Sequence, residues 1–207
     1  MLVDLTVKQF LDKVSGNDPV PGGGSIAALN GSIAASLAAM VAGLTIGKKG
    51  YEDKAELMDK IQKVMLENKA AFIADVDKDS EAYDKVFGCF KMPKETPEQK
   101  AARSAAIQEA TKFAAEVPMS VARRAYEIMD MIAEVARKGN SNAVTDACVA
   151  MMAARSSVLG ALLNVKINLG SLKDADYVAK MKKEADELEK KACEKESELL
   201  KEINQKL

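Results

Sequence analysis

Five carboxylates crowd one short stretch of the sequence: Asp75, Asp77, Asp79, Glu81 and Asp84. Most of them read as a solvated helix face, but Asp79 does not fit that description. It follows Val76 by three residues and precedes Tyr83 by four, inside an apolar stripe of Met58, Ile61, Met65, Phe72, Val76, Tyr83, Val86 and Phe90. Helical spacing aims such a residue inward, beside Phe72 and Tyr83. A carboxylate held there loses hydration, and its pKa rises unless a cation or a donor compensates. That environment suits a general acid-base or a counterion for a cationic substrate. The structural alternative is a buried aspartate bonded to a lysine or to a helix end. Asp77 takes the same role if the helix phase is off by two, and Tyr83 is a candidate orienting hydroxyl. The sequence contains no histidine. Ser-His and Cys-His nucleophile systems, H-E-x-x-H zinc sites and E-x-x-H di-iron bundles are therefore excluded within this chain. No metal site is expected.

A second group of candidates is spread along the chain. Pro21-Gly22-Gly23-Gly24-Ser25 opens an uncharged helix. Three glycines remove side-chain bulk, and free amides at a helix start attract anions or polar ligands, so the loop is a candidate pocket wall. The plainer reading is a tight turn with Ser25 as cap. Gly22-x-Gly24-x-x-Ala27 also matches a relaxed dinucleotide pattern, but a helix precedes it and no βαβ unit is visible. Asp146 sits in the first turn of an apolar helix, as a ligand contact or simply as a charge suited to a helix N-terminus. Arg155, on the same helix, is anomalous for an apolar setting and pairs with a buried acid or binds a ligand. Asn164 and Asn168 flank Lys166, as caps or as amides able to read a heterocycle edge. Lys48-Lys49 is a basic pair sized for one small anion, and Lys91 and Lys94 flank Pro93 in a loop.

These residues need helices to hold them, and helical periodicity dominates the chain. A first helix starts at Thr6, where Thr6 and Gln9 form a capping box, and ends at Gly16. After the breaker-rich segment GNDPVPGGG, a second runs from about Ser25 to Gly47. A third covers about 51–89. KMPKETPEQK interrupts it, and Thr96, Pro97 and Gln99 start a fourth, which continues to about Lys138 with Pro118 as an expected kink. A fifth, about 143–165, is apolar nearly all round and therefore central. NVKINLGSLKD reads as a connector to a last amphipathic helix, about 175–205, whose stripe (Val178, Met181, Ala185, Leu188, Ala192, Leu199) packs on the body or on a second subunit. The expected architecture is all-α: one domain over residues 1–207, an up-and-down-like bundle of five to six helices around a central Ala/Gly-rich helix, with 175–207 as its C-terminal amphipathic helix.

Composition agrees. At 48% hydrophobic residues the chain can bury a sizeable core, and with 4% aromatics and no Trp it must fill that core with Ala and Met. Thirty basic against 31 acidic residues give a net charge of −1, which offers no nucleic acid a partner surface. Cys89, Cys148 and Cys193 are odd in number and widely spaced, unlike a disulfide framework or a zinc site, and a reducing cytoplasm is expected. The N-terminus does not read as a signal peptide. Pro19 to Gly47 carries no charge. It is mostly Ala, Gly, Ser, Thr and Asn, so a buried central helix is expected rather than a membrane span.

Taken in order, five segments resemble the formiminotetrahydrofolate cyclodeaminase/methenyltetrahydrofolate cyclohydrolase family: PVPGGGSIAALNGSIAASLAAMVAGLT with GKK, D-x-D-x-x-A-Y from Asp77 to Tyr83, KMPKETPEQK, GNSNAVTDA and LGALLNVKINL. The resemblance implies an all-α fold, a homodimer, and a folate site without metal or redox cofactor. Thr145 precedes Asp146 where the family pattern has a serine. The module is expected to stand without a formiminotransferase domain, and with it the expected activity is a cyclohydrolase that opens 5,10-methenyltetrahydrofolate to 10-formyltetrahydrofolate. The alternative is a cyclodeaminase that closes 5-formiminotetrahydrofolate with loss of ammonia. A third reading is a non-enzymatic helical dimer. The resemblance, more than spacing, places Asp79 as base with Asp77 and Tyr83 behind it, Gly22 to Gly24 and Ser25 along the ligand, and Asp146, Asn164 and Asn168 on the pterin. It likewise places Lys48, Lys49, Lys91 and Lys94 on the folate carboxylates, with or without a polyglutamate tail.

Overall fold

The structure is a computed structural model and describes residues 1–206; Leu207, the last residue of the expected domain, lies outside the described residues. Six α-helices account for most of it: α1 (Val7–Val14), α2 (Gly23–Gly43), α3 (Ala55–Phe90), α4 (Pro97–Lys138), α5 (Val144–Leu169) and α6 (Ala175–Asn204). Three short 3-10 turns accompany them, and no strand occurs among the described residues. Both capping boxes form. The Thr6 and Thr96 hydroxyls accept from the N–H of Gln9 and Gln99, whose side chains reach back to the cap N–H.

The four central helices run up and down. Gly31 of α2 faces the ring of Phe72 of α3, and Gly43 faces Gln62, so these two helices are antiparallel. Asp75 of α3 meets Arg124 of α4, Asn168 of α5 bonds the Ala114 carbonyl of α4, and Ser157 of α5 bonds the Ala27 carbonyl of α2. A second contact in each case, Cys89 to Ala106 for α3 and α4 and Gly23 to Asn164 for α2 and α5, together with the short connection between α4 and α5, makes these neighbours antiparallel too. α6 lies outside α4 and α5, tied by Arg123–Glu184 (2.6 Å), Arg155–Glu196 (2.9 Å) and Lys166–Glu189 (2.6 Å). The anomalous Arg155 of the apolar helix is thus paired with α6. The last amphipathic helix packs on the body, its Met181, Ala185, Ala192 and Leu199 buried.

Close packing explains the composition of α2. Ala27, Ala28, Ala34, Ala35, Ala38 and Ala42 are buried against three other helices. Small side chains let backbones approach closely enough for a serine on α5 to reach an α2 carbonyl at 2.7 Å. α2 and α5 are both long and apolar enough to span a bilayer; each buries one face, about half of its most apolar stretch, against the other helices of the bundle.

Three boundaries differ from expectation. α2 begins at Gly23, not Ser25, and ends at Gly43, before a turn in which Gly47 (φ 73°) and Gly50 (φ 86°) adopt the left-handed region. α5 runs on to Leu169, because Val165 and Leu169 continue its buried face. Asn164 and Asn168 therefore lie on the helix, and the NVKINL part of the expected connector is helical. The apolar stripe of α3 is buried only as far as Val76. Beyond it, α3 packs on α4 in a small separate cluster of Ala82, Ala114 and Val117, and Tyr83, Phe87 and Phe90 emerge at the surface. α4 continues as one helix through the buried Pro118.

A methyl group at Gly31 would lie 2.7 Å from the fully buried ring of Phe72. Ala improves helix propensity by roughly 0.5–1 kcal/mol over Gly. Overpacking a rigid ring costs about 1–3 kcal/mol, so the clash dominates. Gly31→Ala is expected to lower Tm by several degrees in a thermal melt followed by circular dichroism; an unchanged or raised Tm would mean that α2 and α3 are not this close.

Candidate functional site

The glycine loop, the middle of α3, the Ala114 region of α4 and the C-terminal end of α5 enclose a cavity of about 380 Å³. That is within the range of small-molecule sites. Its lining includes Gly22, Gly23, Gly24, Tyr83, Asn164 and Asn168, and its one charged side chain is Asp79. Two other cavities are less suited to chemistry. One of about 420 Å³ at the opposite end of the bundle is lined by Lys54, Arg137, Lys138 and Lys206. All four bases there are held in ion pairs, with Asp53, Glu202, Glu134 and Glu202 respectively. One of about 450 Å³ beneath the N-terminal segment is almost wholly apolar.

Asp79 lies against the first turn of α2. A Cβ built on Gly24 would overlap its carboxyl group, so position 24 has no room for a side chain. Ser25 is fully buried, and its hydroxyl sits 3.1 Å from Asp79 Oδ2, 3.0 Å from the Val76 carbonyl and 3.3 Å from Ser80 Oγ. Ser25 is therefore neither a helix cap nor a ligand contact. Gly22 is the N-cap, without a side-chain cap bond, and Ser25 holds Asp79 in place. Burial raises the pKa of Asp79 above the usual carboxylate value; the hydroxyl and backbone N–H of Ser25 oppose that rise without cancelling it. Asp79 makes no ion pair among the described residues.

The fallback acid does not share this cavity. Asp77 Oδ1 accepts from the Leu2 N–H at 2.7 Å, and its Oδ2 is buried without a partner. Two residues on a helix differ by about 200°, so Asp77 faces the N-terminal segment while Asp79 faces the glycine loop. Asp75, which reads in the sequence as part of the solvated face, is the most buried acid of the cluster at 5% exposure. It bonds Arg124 at 2.9 Å, and burial pushes its pKa up while Arg124 and Lys78 pull it down.

Tyr83 lines the cavity from its mouth, 41% exposed, its ring stacked on Phe87 at 6.2 Å between centroids. Asn164 Nδ2 donates to the Gly160 carbonyl, and Asn168 Nδ2 to the carbonyls of Ala114 and Asn164. Asn168 has both amide hydrogens engaged, whereas Asn164 keeps one N–H, and both amide oxygens are left to accept from a ligand. Ile167 and Ser171 join the two asparagines on one face of α5 and its exit. That i, i+3, i+4, i+7 face is hidden in the sequence once the helix is ended at 165. Ala82, Val86 and Ala114 also line the cavity, and no chemical signal marks them.

The remaining candidates are not in the cavity of the same chain. Lys91 caps the C-terminus of α3, its ammonium 4.6 Å over the Phe87 ring, and Lys94 is exposed in the following turn. Lys48 and Lys49 follow the far end of α2, about 30 Å from the glycine loop at 1.5 Å per residue. Asp146 lies in the first turn of α5, about 27 Å along that helix from Asn164. Among the described residues no cluster of three or more metal-ligating side chains occurs.

The family model described as formiminotransferase-cyclodeaminase matches residues 6–187. A methenyltetrahydrofolate cyclohydrolase of Methylorubrum extorquens is 41% identical over 186 residues, 88% of each chain. A formimidoyltransferase-cyclodeaminase of Rattus norvegicus is 32% identical over 84% of this chain, which spans only 32% of that longer protein. The crystal structure of a formiminotetrahydrofolate cyclodeaminase from Thermotoga maritima superposes with a TM-score of 0.86 at 30% identity, covering 98% of this chain and 99% of that one. An antiparallel helical bundle with one unpaired, half-buried acid at a glycine-lined cavity thus has relatives in sequence and in fold: the chain belongs to the formiminotransferase-cyclodeaminase family.

Proposed function

We propose that the chain is a methenyltetrahydrofolate cyclohydrolase, acting as a cytoplasmic homodimer without metal or redox cofactor. One observation carries the chemistry: the cavity's single charged side chain is an acid with a raised pKa, held where no cation neutralises it. The methenyl bridge is an amidinium carbon between N5 and N10. Asp79 takes a proton from water as the water oxygen bonds to that carbon. The resulting carbinolamine opens as its C–N5 bond breaks: N5 takes the proton that Asp79 received, the hydroxyl gives up its own to solvent as the C=O forms, and the formyl group stays on N10. The net reaction consumes one water and releases one proton. The oxygens of Asn164 and Asn168 accept from N–H groups of the pterin, Gly22 to Gly24 let the ring approach the backbone, and Tyr83 orients water or the ring at the mouth. The 41% identical relative named as a cyclohydrolase supports this reaction. The superposition on a cyclodeaminase favours the second reading, ring closure of 5-formiminotetrahydrofolate with loss of ammonia. Loss of methenyl absorbance in water, measured beside ammonia release from the formimino substrate, separates the two.

Acid-base catalysis contributes about 10²–10⁴-fold. Asp79→Asn is therefore expected to reduce turnover at least about a hundredfold. Removing an acid whose ionisation burial disfavours should leave Tm at pH 7 unchanged or higher. A folded Asp79→Asn protein of ordinary activity would take Asp79 out of the reaction.

A base must be ionised to act, so kcat/KM of the wild type should rise with pH through the Asp79 pKa. That limb should lie above the ordinary aspartate value of about 3.9. The sign for stability is opposite. A folded-state pKa above the unfolded one contributes stability at pH below the unfolded value, and this is lost as pH rises through the folded value. A pH profile with no limb above the ordinary aspartate range, or the same limb in Asp79→Asn, would assign the titration elsewhere.

Gly24→Ala forces the carboxyl of Asp79 out of its place. Activity is expected to fall at least tenfold while the melt shifts little, because the displaced group borders a cavity with room to receive it. Full activity of the alanine variant in a steady-state assay would show that the Asp79 position is not critical.

A further inference from the structure

Three side chains follow Asp79 along α3 at intervals of four residues: Tyr83, Phe87 and Lys91. Intervals of four form one slanting ridge on a helix surface, here with steps at about 6, 12 and 18 Å from Asp79 along the axis. Tyr83 stands at the cavity mouth. Phe87 lies beyond it, 50% exposed, its ring 6.2 Å from the Tyr83 ring and 11° from parallel to it. Long side chains on a helix lean toward its N-terminus, so the Lys91 ammonium reaches back over Phe87, 4.6 Å from the ring centroid. Outward from the cavity, the ridge therefore presents an acid, two rings and a cation, in that order. Packing accounts less well for Phe87 than for the other phenylalanines. Phe10 and Phe72 are buried, Phe113 is half-buried, and Phe90 receives the Arg103 guanidinium of α4 at 5.5 Å. The ring partners of Phe87, Tyr83 and Lys91, are both on its own helix, and no acid pairs with Lys91 among the described residues. Single exposed apolar residues are ordinary on a protein surface. Two near-parallel rings that lead from a cavity to an unpaired ammonium are a continuous strip.

We propose that this ridge is the subsite for the p-aminobenzoylglutamate half of the substrate, with Phe87 packing against the benzoyl ring beside Tyr83 and Lys91 pairing with the glutamate carboxylates. The subsite rests on the folate reading of the Asp79 cavity and extends it past the cavity mouth. The proposed substrate has the same order of groups. Its amidinium carbon is followed by the benzoyl ring on N10, an amide, and the glutamate carboxylates, which by ordinary bond lengths lie roughly 10–12 Å from that carbon. A water molecule between the carbon and Asp79 adds roughly 3–5 Å. The carboxylates thus fall roughly 13–17 Å from Asp79, between the steps of Phe87 and Lys91, where the Lys91 ammonium stands. Distance also reconciles a cation for the tail with an uncompensated acid in the cavity. A charge at such a separation, outside the mouth, lies beyond the Debye length of about 8 Å at physiological salt and does little to the ionisation of Asp79. The first turn of α2 and the two asparagines of α5 hold one end of the substrate in the cavity, and the ridge of α3 holds the other.

Steady-state kinetics on the full chain test the subsite with two substrates: methenyltetrahydrofolate, and methenyltetrahydropteroyl amide, which keeps both ring systems and has no carboxylate. Phe87→Ala is expected to raise KM about tenfold on both, with kcat and Tm little changed, and Phe87→Tyr, which keeps a flat ring, should hold KM near the wild-type value. Lys91→Glu should lower kcat/KM on the folate relative to kcat/KM on the amide by about fivefold. A lysine that serves only the end of α3 would leave that ratio unchanged. A normal KM in Phe87→Ala, a fall in kcat in place of the rise in KM, or an unchanged ratio in Lys91→Glu would overturn the subsite. If wild-type protein hydrolyses no methenyltetrahydrofolate, the proposed reaction fails on its own, and calorimetric titration with 5-formyltetrahydrofolate decides the subsite. Affinity weakened about tenfold in Phe87→Ala and about fivefold in Lys91→Glu supports it. Equal affinity in all three proteins, or no binding to the wild type, overturns it.

Discussion

The site depends on one contact, that of the Asp79 carboxyl with the first turn of α2. It requires the backbone at position 24 to carry no side chain, the hydroxyl at position 25 to point away from solvent, and α3 to pass α2 closely enough for both. The last condition is met along the whole of α2 by small residues, with Gly31 accommodating Phe72 and Gly43 accommodating Gln62. The unusual composition of this helix and the position of one acid are therefore two aspects of the same packing. A bulkier α2 would push α3 outward and return Asp79 to water.

Asp79 differs from the other charges embedded in the bundle. Asp75 is more buried but has Arg124 at 2.9 Å. Arg155 and Lys166, on an otherwise apolar helix, reach acids of α6. Arg123 is held by Glu184 and Glu116. α6 thus supplies carboxylates to charges that the core helices could not otherwise carry. These pairs are partly exposed, so each contributes less than a buried pair would. Asp79 has only the hydroxyl and backbone N–H of Ser25, at the N-terminal end of α2, which stabilise an anion without neutralising it. An acid serving only the fold would more economically be paired, as Asp75 is.

The all-α architecture, both capping boxes and the inward direction of Asp79 were legible because each is a local property: a spacing of three or four, a hydroxyl three residues before a glutamine, a run of breakers. What failed depended on where helices end relative to one another. Tyr83 and Phe90 continue the periodicity of the α3 stripe, yet they lie where α3 has outrun α2 and nothing covers them. Asp75 is placed by periodicity on the same footing as its acidic neighbours, and only the arrival of Arg124 from α4 distinguishes it. Ser25 looks like a cap because serine at a helix start usually is one; its role as the bond that holds Asp79 arises from a residue 54 positions away. Lys48 and Lys49 belong to the same resembling segment as the glycine loop, and Asp146 to another. Resemblance gives no distances, and two groups of such residues prove to lie at opposite ends of one bundle.

A raised but uncompensated pKa has a particular value against a cationic substrate. Before binding, burial holds the pKa of Asp79 above the usual carboxylate value. The amidinium of the methenyl bridge then enters a poorly hydrated cavity, where an opposite charge favours the ionised form. In the proposed reaction the substrate's charge thus lowers the pKa that burial raises and favours the ionised form of Asp79. When water adds to the bridge carbon, the positive charge on that carbon disappears. The carboxylate loses its counterion, and its affinity for a proton rises during the same step that releases one. A permanent cation beside Asp79 would hold the pKa low through both states and weaken this coupling. Interactions accelerate the step only when they favour the transition state over the bound ground state. An arginine of the kind that satisfies Asp75 would therefore stabilise the fold at position 79 and slow the reaction. On this reading, the absence of basic residues from the cavity lining is a functional requirement, and cations for the tail must come from outside the immediate surroundings of Asp79.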